Sequence, residues 1–209
     1  MVMKMARGTI DRRIARTKGM LQHALISLIL KKDYETITIE DICDAANVGR
    51  STFYAHYTSK DDLKRSGLDE NLRRLLADRQ RDARAMPGDS GDRSLSFSLT
   101  MFEHARDHKD LYRALIGGRG GTVALGTIRR ILSGLVSDEL AATAGKSVGK
   151  IPMDAVLREL AVQYVVGAFM AVLIWWLDRG AKLPPQQIDA MFRLLSTGSN
   201  YRNNTLNGG

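Results

Sequence analysis

Residues 34–63 read YETITIEDICDAANVGRSTFYAHYTSKDDL, and this stretch decides the fold. Thr38 fits a helix N-cap, with Glu40 in the first turn and Asp41 at the third helical position. Ile39, Ile42, Cys43 and Ala46 recur at i, i+3, i+4 and i+7, the spacing of one buried face on a helix of about two turns. Asn47 follows, and asparagine tolerates the left-handed backbone that a tight turn between helices needs. Residues 49–55 are expected to form a second short helix, and Ser59 to cap the next one, with Asp61 and Asp62 near its positive end. Ile39, Ile42, Cys43, Ala46, Val48 and Phe53 then face inward, and small residues at 43, 45 and 46 let the two helices cross closely. Arg50, Ser51, Thr52, Tyr54 and His56 are left to face outward, with Lys60 starting the following helix. Two short helices joined by about four residues are a helix-turn-helix. A short helix that presents hydrogen-bonding side chains suits the major groove, where some groups reach base edges and others hold phosphates. Cys43 reads as a small packing residue; Phe53 and Tyr57 read as core.

Outward from this unit, the pattern is helical throughout. Ile10, Ile14, Leu21, Leu25, Leu28 and Ile29 mark a first helix over 10–31, and Lys31-Lys-Asp-Tyr-Glu reads as a polar break. A helix from Ser59 to about Arg84 ends in the linker Met86-Pro-Gly-Asp-Ser-Gly-Asp. Leu95, Leu99 and Phe102 mark the next helix, and Leu111, Tyr112, Leu115 and Ile116 a short one, before glycines at 117, 118, 120 and 121 break the chain. Ile128, Ile131, Leu132, Leu135 and Val136 form a further stripe. Residues 145–151 read as a loop, with Pro152 in the first turn of a long apolar helix that Gly180 ends. Pro184-Pro185 open a last helix with Ile188, Met191, Phe192 and Leu195 on one face. The fold class is therefore all-α, about nine helices in all.

The chain has 209 residues, long enough to bury a core without staples, and its single cysteine excludes an internal disulfide and a multi-thiolate zinc site. No metal or cofactor site is expected. The net charge is +8, and residues 1–32 hold eight lysines and arginines against Asp11 alone. Charge gathered in this way points to a polyanionic partner. Arg7, Arg12, Arg13 and Arg16 read either as an arm toward the minor groove and phosphates or as a solvated face. No signal peptide is visible, and with a lone reduced cysteine the expected compartment is the cytoplasm. No catalytic triad order, HExxH, phosphate loop or carboxylate pair stands in the chain, so an enzyme is not expected.

The whole run 34–63, and above all Thr-Phe-Tyr-x-His-Tyr followed by the capped Lys60-Asp-Asp-Leu, closely resembles the DNA-binding domain of the tetracycline-repressor (TetR) family. The resemblance covers about residues 10–70. It implies a dimeric transcriptional repressor whose third helix reads the operator and whose larger helical C-terminal domain dimerises and binds an inducer. By matching position it implies a phosphate contact at Thr38, base and phosphate contacts at Arg50, Ser51 and Thr52, backbone or thymine-methyl contacts at Tyr54 and His56, and a phosphate-binding lysine at Lys60. Two positions depart from the family pattern. Asn47 replaces the usual turn glycine, and Gly49 replaces the usual capping Ser or Thr, so any phosphate contact at 49 falls to the backbone N–H. The expected domains are a three-helix DNA-binding domain over 1–64 with a basic arm at 1–9, a regulatory and dimerisation domain over 65–198, and a disordered tail at 199–209.

Residues 160–177 are apolar except for Gln163 and carry apolar groups on two sides: Leu157, Leu160, Tyr164, Ala168 and Val172 on one, Val162, Val166, Met170 and Ile174 on the other. A monomer needs one such face, so the second is expected to pair with a symmetry mate, making a homodimer through helices at about 153–179 and 185–197. Insertion of this run in a membrane is the alternative reading. Met101, Phe102, His104, Tyr112, Met170 and Trp175, with Trp176 beside it, stand where they can line a pocket for a small-molecule effector, although stripes of Met and aromatics are more often plain core. The function expected is a sequence-specific regulator of pseudo-palindromic double-stranded DNA, released by an effector; a ligand-independent regulator is the alternative.

Overall fold

A computed structural model describes residues 2–85, 95, 97–116, 121–142, 147–148, 151–152 and 155–197. The linker at 86–92, most of the glycine break at 117–121 and the expected tail at 199–209 lie outside the described residues. Among the described residues there are nine α-helices: α1 (Val2–Ile29), α2 (Ile39–Ala46), α3 (Arg50–Tyr54), α4 (Lys60–Ala85), α5 (Phe97–Asp107), α6 (Lys109–Ile116), α7 (Gly121–Ala142), α8 (Ala155–Asp178) and α9 (Pro185–Thr197). A 3-10 turn, Tyr34–Thr36, precedes α2. One short antiparallel pairing, β1 (Ser147–Val148) with β2 (Ile151–Pro152), interrupts the helical order.

Three local differences from the sequence pattern have physical causes. The first helix runs N-terminally through residues 2–9, the expected arm, where Met3, Lys4, Met5, Ala6 and Arg7 are consecutive good helix formers. The loop at 145–151 holds β1, and Pro152 sits in β2 instead of opening α8, which starts at Ala155. Proline lacks an N–H for a ladder but tolerates an extended end position, which this pairing of two residues supplies. The polar break after α1 is a structured turn: Asp33 accepts from the Glu35 N–H, and Tyr34 is buried.

The chain divides into two compact units, Met1–Glu70 with Arg113–Thr127, and Asn71–Tyr112 with Ile128–Gly209. In the first, α1 packs on α2 and α2 on α3. Leu21, Leu25, Ile37, Ile42, Cys43, Phe53, Tyr57 and Leu63 form its core. Gly67 of α4 lies where a Cβ would stand 3.3 Å from the Gln22 Cγ of α1, so glycine permits that approach. In the second unit, α5 packs on α8 and α9, and α8 on α9. Its centre is aromatic. Phe102 lies 5.0 Å from Phe169, 5.5 Å from Trp176 and 6.3 Å from Phe192, ring centre to ring centre. The Trp176 indole N–H is satisfied by the Leu183 carbonyl at 3.1 Å. Gly180, at φ +83°, ends α8, with the Ala181 N–H returning to the Trp176 carbonyl as in a Schellman cap.

Ser98 of α5 and Asp189 of α9 are both buried and hydrogen-bonded to each other. Arg193 Nε donates to the same carboxylate at 2.8 Å and its terminal nitrogen to the Leu95 carbonyl at 3.0 Å. The pair is thus fully hydrogen-bonded where α5 meets α9, the condition under which a buried charge is tolerated.

Candidate nucleic-acid interface

The interface is built on two helix starts and one turn. Thr38 caps α2 through a complete capping box: its hydroxyl accepts from the Asp41 N–H at 3.1 Å, and the Asp41 carboxylate accepts from the Thr38 N–H at 2.7 Å. The Asp41 carboxylate also takes the Thr38 hydroxyl proton and the Lys32 ammonium, each at 2.8 Å. The Lys32 ammonium, then the two Thr38 donors, bring its pKa down to about 2. Asn47 closes α2 in the left-handed conformation, φ 52° and ψ 48°, and the Val48 N–H returns to the Cys43 carbonyl at 3.0 Å. Asparagine therefore fills the role that glycine has in the family pattern. Gly49 begins α3 without a side-chain cap.

Within α3 the inward and outward sides separate as the pattern requires. Phe53 is fully buried, and its ring meets those of Tyr54 and Tyr57 at 5.5 and 6.0 Å. Arg50, Ser51 and Tyr54 are exposed, and Thr52 and His56 are half-buried. Tyr54 keeps half its surface in solvent, with its ring at 84° to that of Phe53. Arg12, Arg13 and Arg16 are exposed along α1. Cys43 is buried, and burial raises its thiol pKa, which suits packing and not thiolate chemistry. Among the described residues no three His, Cys, Asp or Glu gather to hold a metal ion.

The Lys60 ammonium donates to the main-chain carbonyls of Tyr34, Glu35 and Ile37, within the same unit. The signal in the sequence was a single tyrosine inside the polar run 31–35, whose burial no periodicity reveals.

The six candidate pocket residues differ in exposure. Met101, Phe102, Tyr112 and Met170 are buried, and Phe102 belongs to the aromatic centre. His104 is half-buried, with its ring 5.7 Å from Tyr112 and 4.5 Å from His108. Burial first, and the neighbouring His108 second, bring its pKa down to about 4. Trp175 stands 44% exposed with the Arg179 guanidinium 4.5 Å over its ring; Trp176 is the tryptophan in the core. A separate cleft of about 420 Å³ lies between α7 and α8, lined among others by Ser133, Ser137, Arg158 and Glu159.

Of the residues expected on the two apolar sides of α8, Val162, Val166 and Met170 are buried, together with Phe169 and Leu173, and Ile174 is half-buried; on the other side Leu160 and Tyr164 are exposed, while Leu157, Ala168 and Val172 are half-buried. A neighbouring strip of α8 is open in the single chain. Val156, Leu160, Tyr164 and Trp175 are 74, 63, 59 and 44% exposed, with Gly167 and Ala171 between them on the same side. On α9, Met191, Leu194 and Leu195 are exposed as well. By length and composition α8 could also cross a membrane.

Residues 22–65 match the family model described as bacterial regulatory proteins, tetR family. Residues 92–198, about half of the chain, match one described as a transcriptional regulator C-terminal region. An uncharacterized HTH-type transcriptional regulator of Bacillus subtilis (strain 168), YxbF, is 38% identical over 68 residues, 32% of this chain. The chain spans only 18 and 36% of the lengths of the two curated relatives it matches. A TetR transcriptional regulator from Streptococcus agalactiae 2603V is similar in structure, with a TM-score of 0.64 and 25% identity over 91% of this chain and 98% of that one. FadR from Bacillus subtilis in complex with stearoyl-CoA shares the fold, with a TM-score of 0.61 and 16% identity over 86% of this chain and 97% of that one.

Proposed function

The chain belongs to the TetR family of transcriptional regulators, and from that premise we propose that it is a homodimeric repressor that holds a pseudo-palindromic operator and leaves it when a small molecule binds the second unit. The observation that carries the reading is α3, which seals Phe53 into the core and turns Arg50, Ser51 and Tyr54 to solvent from a basic unit. In this reading α3 enters the major groove. Arg50, Ser51 and Thr52 take base edges and phosphates there, Tyr54 and His56 touch backbone and thymine methyls, and the N-terminus of α2 at Thr38 meets a phosphate through its first free N–H groups. The open apolar side of α8, continued on α9, supports the dimer that would present α3 twice. The stearoyl-CoA held by FadR supports an effector in the second unit without identifying one here. The regulator would work in the cytoplasm.

The test is selection of random duplex DNA on the purified chain. The expected result is an inverted repeat with half-site centres about 34–36 Å apart, or a multiple of that spacing. Arg50→Ala should then relax one position in each half-site, by about 1–3 kcal/mol, if Arg50 reads a base. No enriched sequence at moderate salt would end the proposal.

A further inference from the structure

The cleft between α7 and α8 carries polar groups on both walls. Ser133, Gly134 and Ser137 line it from one face of α7. Ala155, Arg158, Glu159 and Val162 line it from α8 at i, i+3, i+4 and i+7, again one face. Four of these seven residues are serine, glycine or alanine, too small to fill the space between the helices, and about 420 Å³ stays open, within the range of small-molecule sites. Arg158 is half-buried, and its Nε is buried without a hydrogen-bond partner. Such a group is rare in a folded chain and marks a place where an acceptor from outside, water or ligand, completes the site. Glu159 lines the same cleft with the opposite charge and is exposed. Among the described residues these two charges make no ion pair, with each other or with a third group. A guanidinium binds a carboxylate through parallel N–H donors, and a carboxylate accepts from an ammonium. A phosphate fits worse, because Glu159 offsets the one positive charge that would hold it. The serine hydroxyls either donate or accept, and the buried Val162 offers an apolar contact.

We infer that this cleft binds a small zwitterion, an α-amino acid, with its carboxylate on the Arg158 guanidinium, its ammonium on Glu159 and its side chain toward Val162. None of the aromatic rings at the centre of the unit lines the cleft. Binding stands on the cleft alone; that the zwitterion is the effector rests on the function proposed above.

Isothermal titration calorimetry of the purified full chain with each of the common L-α-amino acids tests it. At least one should bind. Its N-acetyl derivative, which has no ammonium, and its amide, which has no carboxylate, should each bind about 10- to 150-fold more weakly, the worth of a hydrogen bond to a charged group. Arg158→Gln should lose as much for the parent amino acid and little more for the amide, because both changes remove the same contact. Glu159→Gln should weaken the parent amino acid but not its N-acetyl derivative. Arg106→Gln, exposed on α5, is the control and should change nothing. If Arg158→Gln fails to fold, Ser137→Leu replaces it: an exposed serine gives way to a side chain that occupies the cleft, and binding should be lost with the thermal midpoint kept. Binding of no amino acid at millimolar concentration, equal binding of the two derivatives and the parent, or undiminished binding by Arg158→Gln or by Ser137→Leu would overturn the inference. Anisotropy on the selected operator, with and without the amino acid, is read separately. An operator affinity lowered about tenfold joins the cleft to the proposed release, and an unchanged one removes the zwitterion as effector. A chain that binds the amino acid but no duplex would end the DNA-binding reading and leave the cleft standing.

Discussion

Replacing Leu160 by alanine should weaken the proposed dimer far more than the single chain. Leu160 is 63% exposed on the open side of α8, beside Val156 and Tyr164. Burying a whole leucine side chain contributes about 1.5–3 kcal/mol, so covering this one in a dimer contributes about 1–2 kcal/mol. A two-fold contact uses the residue once in each protomer. Allowing for the methyl that alanine keeps, the dimer loses about 2–3 kcal/mol, which is roughly a 30- to 160-fold rise in its dissociation constant. Within the single chain the same change touches little buried surface and should alter stability by no more than about 0.5 kcal/mol. Sedimentation equilibrium across a concentration series reads the first quantity. Thermal unfolding at low concentration reads the second, and the wild-type midpoint should rise with concentration. Leu30→Ala is the control: this leucine is 52% exposed, follows α1 in the other unit and should leave the dimer unchanged. A wild-type chain that stays monomeric, or a Leu160→Ala chain that associates as tightly as wild type, would refute the reasoning.

Three further outcomes are expected. Asp189→Ala removes the counter-charge from Arg193 and the carboxylate partner from the fully buried Ser98, and should cost about 3 kcal/mol in chemical denaturation; a midpoint within error of wild type would show that the network holds nothing. Asn47→Ala forces a Cβ-bearing residue without a local hydrogen-bonding group to hold φ near 52°, and should destabilise by about 1 kcal/mol, whereas Asn47→Gly should stay within a few tenths. His104 is neutral in the folded chain down to about pH 4, but an unfolded histidine takes its proton near 6.5. Its contribution is therefore intact above pH 6.5 and is lost as pH falls toward 4. Allowing for the partial exposure of the ring, that loss is about 2 kcal/mol. His104→Gln should flatten the decline over that window, and an unchanged pH profile would exclude the ring as its source.

Local chemistry was enough for the reading unit. The N-cap at Thr38, the left-handed residue at Asn47, the inward set ending in Phe53 and the outward set from Arg50 each depend on neighbours within about two helical turns, so they were legible in the string. The end of α8 at Gly180 and the start of α9 at Pro185 were legible for the same reason. So was an apolar helix with more nonpolar surface than one chain can cover. Tertiary structure decided which residues meet across long separations. Lys60 reaches carbonyls 23 to 26 positions away, Asp189 meets Ser98 across 91, and residues 113–127 join the unit that begins the chain. It also chose Trp176 over Trp175 for the core, because neighbouring positions on a helix differ by about 100° and only the packed partners say which direction is inside. Periodicity encodes a face and capping encodes an end. The identity of a distant partner is encoded in neither, since it depends on how the elements pack.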